Sequence, residues 1–129
     1  MTWHKIKRSP ADILFSNYIR AKRKYTCEKC GKIGKINGIT ICQIEASHYI
    51  SRSKRTVRFD EQNVRVLCSA CHKRMGGYKR EENGEYDLWI KELLGQYDYR
   101  RLIIRGNLPG QKTDKKLELL YVKQLIQKV

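Results

Sequence analysis

Two Cys-x-x-Cys pairs, Cys27–Cys30 and Cys68–Cys71, constrain the fold of this 129-residue chain more than any other feature. Four thiolates at paired spacing describe a closed, tetrahedral structural zinc site. A chain this short buries a modest share of its surface on folding and gains from a metal staple. In finger-type sites zinc is worth on the order of 10–16 kcal/mol, so its removal is expected to unfold the central region. The fifth cysteine, Cys42, reads as a small buried hydrophobe in a strand. An odd count, with four thiols at metal spacing, fits a reducing, cytoplasmic compartment rather than a disulfide framework.

The net charge is +15, from 28 Lys and Arg against 13 Asp and Glu. A polyanionic partner is the direct reading, and the phosphate backbone of DNA is the commonest such partner. The same charge is compatible with a solubility surface or with non-specific binding, but it argues against an acidic small-molecule enzyme. The basic N-terminus is followed by no continuous apolar segment, and no stretch approaches the length of a membrane span. Neither a secretory signal nor membrane association is expected.

The chain reads as one domain over 1–129, with an N-terminal helix and basic arm (1–26), a zinc-bound core (27–77) and C-terminal helices (78–129). Ser9-Pro10-Ala11-Asp12 is a helix start, with Ser9 as N-cap, Pro10 at the first helical position and an acid in the first turn. Ile13, Leu14, Phe15, Tyr18 and Ile19 are the expected buried face, and the helix should end near the basic run Arg20–Lys24. That run either complements the helix dipole or faces DNA. Gly31 permits the turn that aims the first cysteine pair inward. Asn37-Gly38 between isoleucines is a hairpin signal. The following strand, Ile39 to about Ile44, is apolar on both faces, so it is expected to be covered on both sides and to deliver His48 near its end. Residues 51–62 read as a polar, basic loop. Val64–Leu67 is a short strand, and a helix runs from Cys71 to about Met75, ended by Gly76-Gly77. Asn83 is placed to cap a helix through Leu88, Trp89, Leu93 and Leu94 that ends at Gly95. Gly106–Gly110 breaks the chain, and a last helix begins near Thr113 with Leu117, Leu120, Tyr121, Leu125 and Ile126 on one stripe, as core or as a partner face. Trp3, His4 and Trp89 read as structural. The fold class is α+β: strand–loop–strand–helix wrapped on four cysteines is a small zinc-stapled treble-clef, ββα-metal arrangement with flanking helices.

Hydrolysis of a phosphodiester needs an activated water, stabilisation of charge on the phosphate and help for the leaving oxygen. A neutral imidazole suits the first task. A bound Mg²⁺ or Mn²⁺ suits the other two as a Lewis acid. His48, His72 and Asn63 supply these residue types, with zinc as the staple. The run Asn63-x-x-x-Leu67-Cys68-x-x-Cys71-His72 resembles the second half of the HNH, or His-Me finger, endonuclease motif, and Ser47-His48-Tyr49-Ile50 resembles the first. Four segments together are similar to the NinG/Rap family of phage recombination proteins: Leu14-Phe15-Ser16-x-Tyr18-Ile19-Arg20, Cys27-x-x-Cys30-Gly31, Ala46–Ser51, and Arg58-Phe59-Asp60-Glu61-x-Asn63. This similarity covers residues 11–102.

The resemblance implies His48 as the general base, Asn63 as the residue that orients the loop or the histidine, His72 as a catalytic-metal ligand, and the four cysteines as structural zinc ligands. His72 could instead cap its helix or ligate zinc. The chain departs from the motif at Ser47, where most HNH enzymes carry an acid or a second histidine as a metal ligand. The two-residue strand period puts Glu45 on the same side as Ser47, so Glu45 is the first candidate for the missing donor, ahead of Asp60 and Glu61. Arg52, Lys54, Arg55 and Arg58 lie between His48 and Asn63 and are expected to contact phosphates, with a solvated loop as the alternative. The resemblance implies cleavage of branched DNA such as Holliday junctions, in the cytoplasm of a phage-carrying bacterium. A symmetric cut calls for two active sites, hence a homodimer through the last helix. Two further readings stay open: a non-catalytic zinc-stabilised DNA-binding module, and a nicking or packaging HNH nuclease without junction preference.

Overall fold

A computed structural model describes residues 7–75, 82–112 and 114–128. Trp3, His4, the Gly76-Gly77 helix stop and Thr113 lie outside the described residues.

The first helix, α1 (Pro10–Lys22), starts where the capping signals put it. Ser9 accepts from the Asp12 amide at 3.2 Å, and Asp12 accepts in return from the Ser9 amide at 2.8 Å. Ala11, Phe15 and Ile19, spaced four apart, carry the buried face, with Leu14 and Tyr18 half-buried. Ile13 is exposed, contrary to expectation, because 13, 14 and 15 span too wide an arc for all three to face inward.

Asn37-Gly38 closes a two-residue hairpin between β1 (Lys35–Ile36) and β2 (Ile39–Thr40). Both turn residues have positive φ, the type I′ requirement that Asn-Gly meets at least cost. The strand expected from Ile39 to Ile44 is two strands. The first is exposed on both faces, and Cys42 lies half-buried in the bend between them, so neither cover on both sides nor a buried strand cysteine is found. The second, β3 (Ile44–His48), pairs antiparallel with β4 (Val64–Cys68), with Ile44 opposite Cys68 and His48 opposite Val64. Between them runs the basic loop, which contains a single 3-10 turn at Arg55–Val57.

Helix α2 (Ser69–Arg74) follows β4 directly, with Cys68 as N-cap and Cys71 buried in its first turn. Next comes α3 (Glu85–Asn107), capped at Gly84 rather than Asn83, whose amide instead donates to Asp87. Gly95, with φ of 79°, does end the first helical run, but a second run starts at once and continues to Asn107. The last helix, α4 (Lys115–Gln127), is capped by Asp114 and packs on α1. It buries Val122, with Leu119, Leu125 and Ile126 beside it, and leaves Leu117, Leu120 and Tyr121 exposed, so the core-facing stripe is rotated from the expected one. One hydrophobic cluster joins α1, β3, β4, α2, α3 and α4. Among the described residues no helix is long and apolar enough to cross a membrane.

Candidate active site and metal centre

The four paired cysteines converge, their sulfurs lying within 4.8 Å of one another, with Cys30 Sγ 3.8 Å from Cys68 Sγ. Zn–S bonds of about 2.3 Å in a tetrahedron give edges of about 3.8 Å, so the donor set fits zinc. The first knuckle turns at Gly31, whose φ is 81° and whose amide donates to the Cys27 carbonyl at 2.9 Å. Burial raises the Cys27 thiol, but amides around Cys30, Cys68 and Lys29 outweigh it and hold it at about 6. Burial and the three neighbouring thiols push Cys71 up to about 12. Four such thiols cannot all ionise unless a cation compensates them.

Glu28, between the first two cysteines, seats the knuckle on the free edge of β4. Its amide donates to the Val66 carbonyl at 2.8 Å, and its carboxylate accepts from the Val66 amide at 2.6 Å. That carboxylate also pairs with Arg23 and Arg65. The basic run at the end of α1 is thus largely engaged by contacts within the chain: Arg23 binds Glu28 and the carbonyls of Glu61 and Val64, Lys22 binds Glu61, and Arg20 reaches Ile44 and Asn17.

His48 ends β3 half-buried, with Nε2 2.8 Å from the Arg58 carbonyl. A carbonyl only accepts, so Nε2 carries the proton and Nδ1 keeps the lone pair. Burial pulls the imidazole down to about 4, and the Arg52 charge acts in the same direction, so the ring is neutral at neutral pH.

Asn63 is fully buried and closes the basic loop at both ends. Its Oδ1 accepts from the Ile50 amide at 2.7 Å, while Nδ2 donates to the carbonyls of Ile50 and Val57, each at 3.0 Å. The Tyr49 amide donates to the Asn63 carbonyl at 2.9 Å. Asn63 therefore touches the loop that carries His48's partner, and not His48 itself.

His72 meets Glu45, Nδ1 to Oε1 at 3.0 Å, both about a third exposed. An imidazole nitrogen and a carboxylate oxygen open to solvent are a donor pair suited to a divalent ion that keeps water or phosphate on its other positions. Ser47, by contrast, is buried with its hydroxyl 3.0 Å from Tyr86 on α3. Side-chain alternation along β3 sends Glu45 and Ser47 towards α2 and α3, and His48 towards α1 and the basic loop. The Glu45–His72 pair and the candidate base thus lie on opposite faces of the same strand.

The four loop cations divide. Arg58 is buried and forms a two-pronged pair with Asp12, at 2.9 and 2.5 Å, and Arg52 lies 3.7 Å from the same carboxylate. Arg58 is thus engaged inward rather than presented to a phosphate. Lys54 and Arg55 are exposed and line a cleft of about 350 Å³ with Ser53 and the Gly106–Gly110 segment. Sequence reasoning missed Asp12, Arg23, Glu28, Arg65 and Tyr86 as parts of the site. The early signals were the acid in the first turn of α1 and the basic run that contains Arg23.

Residues 27–77 match the family model for HNH endonuclease. Neither the curated proteins nor the solved structures contain a match. The matched span holds both cysteine pairs, Glu45, His48, Asn63 and His72, and the mixed α/β architecture with its four clustered cysteines is consistent with an HNH ββα-metal core. The match suggests a metal-dependent nuclease with DNA as substrate and a structural zinc. The likeness to NinG/Rap proteins is finer than anything it reaches.

Proposed function

We propose that this protein is a metal-dependent DNA endonuclease in which His48, at the end of β3, is the general base, and Glu45 with His72, on the opposite face of that strand, hold the catalytic ion, the DNA backbone lying across the strand end so that one phosphate meets both. The reading is carried by His48: a neutral imidazole at a strand end, its Nε2 committed to a carbonyl, leaving Nδ1 as the proton acceptor. Such an imidazole takes a proton from water as the water attacks phosphorus. When bound, Mg²⁺ or Mn²⁺ supplies Lewis-acid stabilisation of the phosphate and the leaving 3′ oxygen. Asn63 keeps the loop closed around the base. Lys54 and Arg55 hold the flanking phosphates. Because Ser47 is turned onto Tyr86, Glu45 takes over the donor role at that face.

The similarity to NinG/Rap proteins supports branched recombination intermediates, Holliday junctions among them, as substrate, within the cytoplasm of a phage-carrying bacterial cell. A homodimer would pair two such sites, and the exposed Leu117, Leu120 and Tyr121 on α4 are a suitable apolar seam. A monomeric mass with and without junction DNA would speak against that dimer.

The test is nicking of supercoiled plasmid with Mg²⁺ or Mn²⁺, wild type against His48→Ala and Glu45→Ala. Loss in both variants is expected. Equal cleavage by His48→Ala, or no cleavage by the wild type, would favour the non-catalytic DNA-binding module. Junction, fork and linear duplex compared at one salt concentration separate junction preference from general nicking, since phosphate binding falls steeply with salt.

A further inference from the structure

We infer that Asp12 and Arg58 form a positioning pair that sets the tautomer and aim of His48 by fixing the carbonyl of residue 58 against Nε2. The inference rests on the base role proposed above. Residue 58 caps the 3-10 turn of the basic loop, where its own amide makes a long 3.4 Å bond to the Arg55 carbonyl. Its anchor is the side chain. The guanidinium donates Nε and Nη2 to the two oxygens of Asp12, and both residues are buried. A planar fork on a carboxylate fixes orientation as well as distance, which a single point contact cannot do.

Asp12 is itself fixed. Its Oδ2 accepts from the Ser9 amide at 2.8 Å and from the Ser9 hydroxyl at 3.1 Å, so the carboxylate belongs to the capping box of α1. Burial raises this carboxylate, but the Arg58 guanidinium and the Ser9 contacts outweigh it and hold it below its ordinary value, which favours the acceptor form. The chain of contacts runs from the start of α1, through the Asp12 carboxylate and the Arg58 side chain, to its carbonyl and then to the imidazole. The Phe59 ring packs against Arg58, 5.8 Å from its guanidinium carbon, and limits the ways residue 58 can turn. Without the fork the carbonyl is held only through its backbone neighbours, by Asn63 and the Asp60 amide on the Val57 carbonyl, and its aim loosens. Nε2 then loses its fixed acceptor, and the proton can move to Nδ1, the atom that must stay bare.

The experiment uses the zinc-loaded full chain and reads the His48 tautomer by long-range ¹H–¹⁵N correlation, assigned with His48→Ala, alongside plasmid nicking. The wild type should show the Nε2–H form alone. Asp12→Ala and Arg58→Lys should show mixed tautomers and a kcat lower by about 100-fold, the cost typical of a misplaced reacting group, with KM little changed. Asp114→Ala, which removes the cap of α4 and touches neither Asp12 nor Arg58, should keep the wild-type tautomer and kcat. If Asp12→Ala does not fold, Asp12→Asn and Arg58→Lys carry the same comparison. An unchanged tautomer and kcat in folded Asp12 and Arg58 variants of an active enzyme overturns the inference and leaves the nuclease reading standing. A tautomer that responds to these variants in a protein that cuts no DNA supports the pair and overturns only the nuclease reading.

Discussion

Asn63 illustrates how one buried amide can hold a loop. It uses one acceptor and two donors on the backbone of Ile50 and Val57, ties that water cannot replace at a fully buried site. Leaving a buried polar group unpaired costs about 1–3 kcal/mol. Asn63→Ala strands several such groups, so we expect a loss of about 3 kcal/mol in urea unfolding and faster amide exchange across residues 50–57. Wild-type stability in that variant would argue against the closing role. His48 yields a prediction of opposite character. Its folded value is depressed to about 4, so between about 6.5 and 4 the unfolded chain binds a proton that the folded one refuses. The His48 contribution is therefore fully present above pH 6.5, declines as pH falls towards 4, and levels off below. Denaturation of wild type against His48→Gln at pH 7 and pH 4.5 should show the wild type losing more stability than the variant. A parallel loss in both would place the His48 ring in a more solvated setting than the one described.

At the scale of elements, backbone stereochemistry decided the segments that were legible in the residues. The capping box of α1, the Asn-Gly hairpin and the cysteine knuckle at Gly31 are each encoded within a few positions, and each forms where expected. Failures came where an element's face depends on its packing neighbours. The 39–40 strand is open because none of the described residues covers the hairpin, and α4 rolls so that Val122 is buried in its packing on α1. Gly95 was legible as a helix end, but not the restart beyond it, since a glycine stop is silent about the conformation of the next residues. Among the described residues nothing lies within 4 Å of a Cβ built at Gly95, so the cost of Gly95→Ala is taken as conformational, from φ of 79°. We expect about 1–3 kcal/mol, a lower melting temperature, and no change in zinc content. Gly106→Ala should be milder, because its Cβ meets only the flexible end of Ile50.

For the molecule as a whole, the four-cysteine cluster that fits zinc and the hydrophobic cluster share residues: Cys27, Cys68 and Cys71 all belong to the buried core. Metal and core should therefore be lost together. Chelation is expected to collapse amide dispersion across β3, β4 and α2 in NMR spectra and to abolish DNA binding at the same step, in line with the roughly 10–16 kcal/mol that structural zinc supplies. Retention of dispersed spectra in a metal-free sample would show that the core stands without its staple.

The residues alone determined the metal-binding thiols, the cap of α1, the hairpin turn and the candidate chemistry, because each is written in side-chain type and short spacing. Tertiary structure alone decided which charges face outward. Arg58 meets Asp12 from 46 positions away, Glu28 seats its knuckle on Val66, and Ser47 turns to Tyr86. A cation in a loop looks the same in sequence whether it meets solvent, a phosphate or a buried carboxylate, and only the packing of distant segments chooses among them.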